Sequence, residues 1–316
     1  MATLTSRITL KGDEPAGPED YLSTSLGVIF PDDVTNQHGD AEHSLIYASP
    51  KLPKPLMIEL AEPEGETDRR LFSHYLWNAS LLLAEFIERD SLETTTEAEA
   101  EAETGLGEGL SFDTRGLATV ELGAGTALPS IMAGLLGAKS VTVTDYPAPA
   151  VMKTLRDNVA RNIKPDLAPL GAGASLPAVT TDITVEGHEW GVFGDSPSSF
   201  PASHAHAADR LFVADCLWMP WQHANLRRSI NHFLKKTGSA RAWVVAGFHT
   251  GRAKMAGFYD ADALREEGGV EIERIWERDC DGVERPWDVE REDDITVRKR
   301  WLVVAVLKRC EGMIEG

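Results

Sequence analysis

Only three of the 316 residues are cysteine, at Cys216, Cys280 and Cys310. None shares a CxxC spacing, so there is neither a disulfide framework nor a cysteine-built zinc site. That scarcity implies a reducing compartment, the cytoplasm, with the nucleus as the alternative. No run approaches twenty apolar residues, so no membrane span and no membrane partner are expected. The opening MATLTSRITLKGDEP lacks the apolar centre of a secretory leader. Positive charge is also short, with 31 Lys and Arg against 50 Asp and Glu and a net charge of −19. Such a surface repels phosphate backbones, which argues against nucleic acid as a partner. It suits a cationic, lysine-rich protein, and it also serves solubility. His204 and His206 sit in a Ser/Pro/Ala loop without a cysteine partner, His188 lying upstream, so no metal is expected.

What the chain has is an ordinary globular composition, 42% hydrophobic and 26% charged, enough for a substantial core. Residues 1–70 hold short extended pieces, SLGVIF, HSLIYA and LMIELAE, broken by prolines and acids. They read as an N-terminal extension with a few strands. Residues 71–89 carry apolar side chains at helical spacing. Residues 91–114 then contain seven acids and no Lys or Arg, including the run EAEAEAE, and read as a solvated surface insertion. Residues 194–209 read as a second one.

The segment 119–146, TVELGAGTALPSIMAGLLGAKSVTVTDY, is the most informative stretch. Val120 and Leu122 suit a buried parallel strand. Gly123 and Gly125 permit unusual backbone angles and let the main chain press against a ligand. An apolar helix is expected over 127–136 and a second strand over 139–144. Asp145 closes that strand, where a carboxylate can accept hydrogen bonds from both ribose hydroxyls. A dinucleotide turn would have glycine where Leu128 stands, followed here by Pro129. The entry acid Glu121 and the pair Gly123/Gly125 favour S-adenosylmethionine instead. Tyr47 and Lys51 mimic a dehydrogenase dyad but precede the nucleotide block rather than following it.

Further along, a helix is expected over 150–163, a third strand near 178–183 and a fourth over 210–218. A helix over 221–236 and a fifth strand over 242–248 follow. Residues 269–278 alternate as an exposed strand would, and 300–307 form a last buried strand that pairs antiparallel with it. The expected fold is α/β, a Rossmann-like, seven-stranded, doubly wound sheet. It is mostly parallel with an antiparallel last strand, plus the N-terminal extension. The domains would be the extension, 1–70, and a domain over 71–316 carrying the two insertions.

These elements together resemble a seven-β-strand S-adenosylmethionine-dependent methyltransferase. More narrowly they look like the nicotinamide N-methyltransferase-like group, which includes lysine methyltransferases. The resemblance rests on His74-Tyr75-Leu76-Trp77-Asn78-Ala79, on the block from Glu121 to Pro147, and on Leu155, Asn158 and Asn162. It also rests on Glu186-Gly187-His188-Glu189-Trp190-Gly191 and on Asp215-Cys216-Leu217-Trp218. The chain departs at Ala127, where glycine is usual, at Trp218, and at Phe248-His249-Thr250-Gly251-Arg252.

The resemblance implies cofactor contacts from Trp77, Glu121, Gly123, Gly125, Asp145 and Trp190, with Trp77 near the methionine part and Trp190 beside the adenine. It implies Asp215 and Trp218 at the acceptor, Asp215 orienting an amine and Trp218 holding its aliphatic stem. His249 and Tyr259 are further candidates to face the acceptor, and Asp182 a weaker one for the adenine. The implied reaction is N-methylation of protein lysine or N-terminal amines, the partner being a protein substrate such as a basic translation or chaperone protein. A nicotinamide-like small amine is the alternative, and a non-catalytic cofactor-fold module or a nicotinamide-dependent oxidoreductase more distant ones. A closed pocket capped by the extension would favour the small amine, and an open acidic groove the protein.

Overall fold

In the computed structural model the described residues are 3–11, 36–39, 44–62, 75–92, 105–169, 179–194, 196–292 and 294–315. The chain enters through short strands β1 (Ile8–Leu10), β2 (Gln37–His38), β3 (Leu45–Tyr47), β4 (Leu56–Ile58) and β5 (Leu76–Trp77), then helix α1 (Asn78–Leu92). Next come β6 (Ala118–Leu122), α2 (Leu128–Leu135), β7 (Ser140–Asp145), α3 (Pro149–Asn162) and β8 (Ile183–Gly187). Helix α4 (Phe200–Ser203), β9 (Arg210–Ala214), α5 (His223–Phe233) and β10 (Arg241–Gly247) follow. The chain ends with α6 (Arg252–Ala256), α7 (Ala261–Glu266), β11 (Val270–Asp279), β12 (Glu284–Pro286), α8 (Ile295–Arg298) and β13 (Trp301–Arg309).

The main sheet has the order β12-β11-β13-β10-β9-β6-β7-β8. Strands β6 to β10 pair parallel, and β13 lies antiparallel between β10 and β11. The expected mostly parallel, doubly wound sheet is therefore present, with β12 added as an eighth strand that hairpins back on β11. Side chains alternate across it as the two-residue period of a strand dictates. Phe212, Trp243, Val245, Val304 and Val306 join the cluster beneath α1, α2 and α3. Leu211, Val213, Val244, Val303 and Ala305 join the opposite cluster beneath α5. After β6 the chain leaves to one face and after β9 to the other, so a crevice opens at their carboxyl ends, the usual ligand position in such sheets.

Several sequence expectations shift. The third strand is Ile183–Gly187, displaced towards the carboxyl end from 178–183, and residue 178 lies outside the described residues. Strand β11 is not an exposed strand, because it is hydrogen-bonded on both sides by β12 and β13 and buries Glu277 completely. Leu76 and Trp77 are not helical but pair with β2, and α1 starts only at Asn78. The pieces SLGVIF and the acidic run 93–104 lie outside the described residues.

Neither insertion is surface throughout. Phe112 is 2% exposed, stacks on Phe86 with 4.7 Å between ring centroids, and packs tilted against Trp243 at 4.8 Å. Burying such a ring contributes about 1.5–3 kcal/mol, which outweighs the polar composition around it. In the second insertion Phe200 packs against Phe233, and Ala208 is fully buried.

The extension's strands β1, β3 and β4 form an antiparallel sheet fastened to the main body by two asparagines of α3. Asn162 accepts from the Met57 N–H and donates to its carbonyl, and Asn158 does the same for Glu59. The pair thus satisfies the outer edge of β4 as a neighbouring strand would. Tyr47 is buried and bonded to Arg7, with Glu88 beside them, so it belongs to this packing rather than to a dyad with Lys51.

Candidate active site

The crevice between the ends of β6 and β9 encloses about 890 Å³, part of it open to solvent. One wall is the glycine turn from Gly123 to Thr126, and another is Asp145 and Tyr146 at the end of β7. Trp77, Trp190 and Trp218 supply indole surfaces, and Asp215 and Cys216 close the end near β9.

Each glycine of the turn answers a different need. A Cβ on Gly123 would stand 2.7 Å from the Cys216 sulfur and 2.9 Å from Trp190, so the turn's approach to both requires glycine. A Cβ on Gly125, which lines the crevice, would meet nothing within 4 Å. Both have positive φ, 67° and 55°. Ala127, where the resembling turn has glycine, also has φ 65° and caps α2, buried away from the crevice.

Asp145 is 8% exposed. Its Oδ2 accepts the Gly125 N–H at 2.7 Å and its Oδ1 accepts the Tyr146 N–H at 2.6 Å. Burial pushes its carboxyl up to about 6 against those two hydrogen bonds, so the group is ionised at neutral pH.

Glu121 departs from the expected cofactor contact. It is fully buried, is not among the residues lining the crevice, and reaches towards α2, where Oε2 accepts the Ser130 N–H at 3.1 Å. Burial pushes it up to about 8, and Oε1 has no hydrogen-bond partner. It satisfies one orphan amide at the start of α2 beneath the turn.

A second cavity adjoins the first. Asn36, Gln37, Asn78, Gly247, Phe248, His249, Thr250, Arg298 and Lys299 line it together with Trp77, Asp215 and Trp218, which face both chambers. Asp215 has φ 61° and is 7% exposed. Its carboxylate is already engaged, with His249 Nε2 at 2.9 Å from both oxygens and the Gly247 N–H donating to Oδ1 at 3.0 Å. Asp215 stands just past the end of the fourth strand, β9, as the sequence implies, and lines the chamber in which it was expected to orient an amine. Here it holds His249. The signal for His249 was its place just past the fifth strand. Tyr259, the other candidate, is buried 5.7 Å from Trp287 and takes part in neither chamber. Asp182 is exposed and lines neither. The amides of Asn36 and Gln37, from the extension, were not found from the sequence because their spacing to any motif carries no pattern.

The departing segment 248–252 is clamped from behind. Arg252 lies 4.3 Å over the Phe248 ring and is bonded, like Arg285, to the completely buried Glu277 of β11. Phe248 in turn stacks on Trp287.

Residues 64–258 match the family described as lysine methyltransferase, which is well over half of the chain. The chain belongs to this family. It is similar to the protein N-terminal and lysine N-methyltransferase EFM7 of Gibberella zeae, 28% identical over 235 residues, covering 72% of this chain and 76% of that protein. The protein of the same name in Yarrowia lipolytica is 30% identical over 213 residues, covering 66% and 68%. A solved structure from Streptococcus mutans, described as an S-adenosylmethionine-dependent methyltransferase, superposes with a TM-score of 0.51 at 11% identity. It covers 92% of this chain and 65% of that one, and shows the fold alone.

The chain is thus a methyltransferase, and its cofactor is S-adenosylmethionine. The residues present fit that group. The open space over Gly125 is a cradle that a Cβ would fill, and the buried acid beside it suits a ribose. The indole walls suit an adenine and a sulfonium. Among the described residues no group of three or more His, Cys, Asp or Glu is placed to hold a metal. His206 is instead bonded through Nδ1 to the Leu234 carbonyl. No helix of the described residues is long and apolar enough to cross a membrane.

Proposed function

We propose that this methyltransferase modifies a protein amine, either a lysine side chain or an N-terminal α-amine. The observation that carries the reading is the pair of chambers meeting at Trp77, Asp215 and Trp218. The first chamber has the features of a cofactor site, and the second gives an amine a separate approach to the same point. The relatives that share 25–30% identity are named as protein N-terminal and lysine N-methyltransferases, which supports a protein acceptor. The net charge of −19 supports a basic partner, of the translation or chaperone kind, and the three unpaired cysteines support a cytoplasmic setting.

When bound, S-adenosylmethionine supplies an already activated methyl group. Asp145 and the backbone at Gly125 would bind it, and Trp77 and Trp190 would flank it. The protein's own part is to align the acceptor nitrogen and to exclude water, and well-aligned intramolecular reactions gain about 7–11 kcal/mol in this way. Trp218 would hold the acceptor's stem where the chambers join.

A small amine of the nicotinamide type is the second reading, favoured by one feature. Asn36 and Gln37 of the extension line the acceptor chamber, and its charged lining is not an acidic groove but sets Arg298 and Lys299 against the single acid Asp215. Purified protein with radiolabelled S-adenosylmethionine, offered a cell lysate and a metabolite extract in parallel, separates the two. Label in a discrete protein band supports the first reading, and label only in small molecules replaces it with the second.

A further inference from the structure

We propose that His249 is the proton acceptor for the incoming ammonium group, its Nδ1 taking the proton while Asp215 holds its Nε2–H. The inference rests on the amine-methylation reading above and adds a residue and a step to it. An ammonium nitrogen has no lone pair to attack with, so a proton must leave before methyl transfer.

The geometry singles out one nitrogen. With the amide nitrogen of Asn36 donating to Nδ1 at 3.2 Å, Nδ1 is the unprotonated, accepting position of the ring. Nε2 then carries the hydrogen and donates to both Asp215 oxygens at 2.9 Å. A carboxylate that fixes one imidazole nitrogen leaves the other free to act as a base and stabilises the imidazolium that results. Room for the ring is built in, because a Cβ on Gly247 would stand 2.7 Å from Nε2. The ring packs edge-on to Trp77, one of the residues at which the two chambers meet, with 4.6 Å between the ring centroids.

In the step, the ammonium N–H bond breaks and its electron pair stays on nitrogen as the lone pair. The proton forms a new bond to Nδ1, and Asp215 remains ionised. Asn36 must withdraw or turn its amide oxygen to Nδ1 as the acceptor arrives. The proton passes to water when the product leaves. The charged and polar groups facing the ring come from every neighbouring element: Asp215 after β9, Asn36 before β2, Arg298 from α8, and Lys299 beside it in the same chamber. Burial and Arg298 oppose the charged ring, but the charge and hydrogen bond of Asp215 outweigh them and raise its proton affinity above the ordinary histidine value. An N-terminal ammonium, with an ordinary pKa near 8, matches such a base more closely than lysine near 10.4.

The decisive variant is His249→Gln, which keeps a donor for Asp215 and cannot titrate. We expect kcat on a peptide amine to fall about 100- to 1,000-fold at pH 7. The loss should shrink steadily towards pH 10, where the amine deprotonates unaided, while the cofactor Kd by calorimetry and the melting temperature stay near the wild-type values. In His249→Ala, added imidazole should restore part of the rate. A loss of equal size at every pH, or no loss, overturns the assignment. A wild type that labels no peptide amine defeats only the protein-amine reading. His249 is then judged by nitrogen NMR on the free enzyme, where a protonated Nδ1 in the neutral ring, or no fall in its pKa in Asp215→Asn, overturns the proposal.

Discussion

Replacing Glu121 with glutamine removes a titrating carboxyl from the core while keeping its shape. The folded carboxyl sits at about 8 because burial disfavours its charge, with Asp145 nearby adding to the rise, whereas an ordinary glutamate sits at 4.5. Between those two values the folded chain binds more protons than the unfolded chain, so stability falls as pH rises from about 4.5 to about 8. At 1.36 kcal/mol per pH unit, that interval amounts to at most about 5 kcal/mol. Glutamine still offers an oxygen to the Ser130 N–H but carries no charge to bury. The two proteins should therefore be of similar stability at pH 5, and the variant should gain progressively to pH 9, by several kcal/mol. Asp145 contributes its own fall in stability between 3.8 and about 6, but equally to both proteins, so the difference isolates Glu121. Urea unfolding at pH 5, 7 and 9, with equal m-values as the control, measures it. Parallel stability curves would refute the reasoning and show that the carboxyl is ionised, or reaches water, in the folded state.

Cofactor affinity should rise with pH through about 6 as Asp145 becomes the ionised acceptor of the ribose hydroxyls. Asp145→Ala, which removes hydrogen bonds to a charged group worth about 1.5–3 kcal/mol each, should weaken cofactor binding at least 10-fold by calorimetry. The two glycines of the turn should separate fold from binding. Gly123→Ala drives a Cβ into Cys216 and Trp190 and should lower the melting temperature by several degrees, whereas Gly125→Ala should cost only about 1–2 kcal/mol of backbone strain but most of the cofactor affinity. Glu277→Gln leaves the buried Arg252 guanidinium, and the half-buried one of Arg285, short of a counter-charge and should cost about 3–5 kcal/mol in denaturant unfolding.

The local rules wrote much of this molecule into the sequence. Apolar strands with a two-residue period, the positive-φ glycines after β6 and the acid ending β7 fixed the nucleoside-binding half, because strands, tight turns and their ligands obey short-range sterics. The place of Asp215 and Trp218 just past a buried strand followed from the same rules, whereas Trp77 and Trp190 were implied only by the family resemblance; all four line one crevice. What the rules could not supply was which way a side chain turns and what a distant segment brings to it. Glu121 ends inside the core because β6 presents it to α2, and no spacing distinguishes that face from the crevice. Phe112 leaves an acidic, low-complexity stretch because one aromatic ring gains more from the core than its neighbours lose. Asn36 and His249 stand 213 positions apart and meet only because β2 pairs with β5 over the end of β10. The sequence by itself determined the parallel centre of the sheet and the glycine turn at its crevice; tertiary packing decided the second chamber, since only long-range contacts assemble its walls.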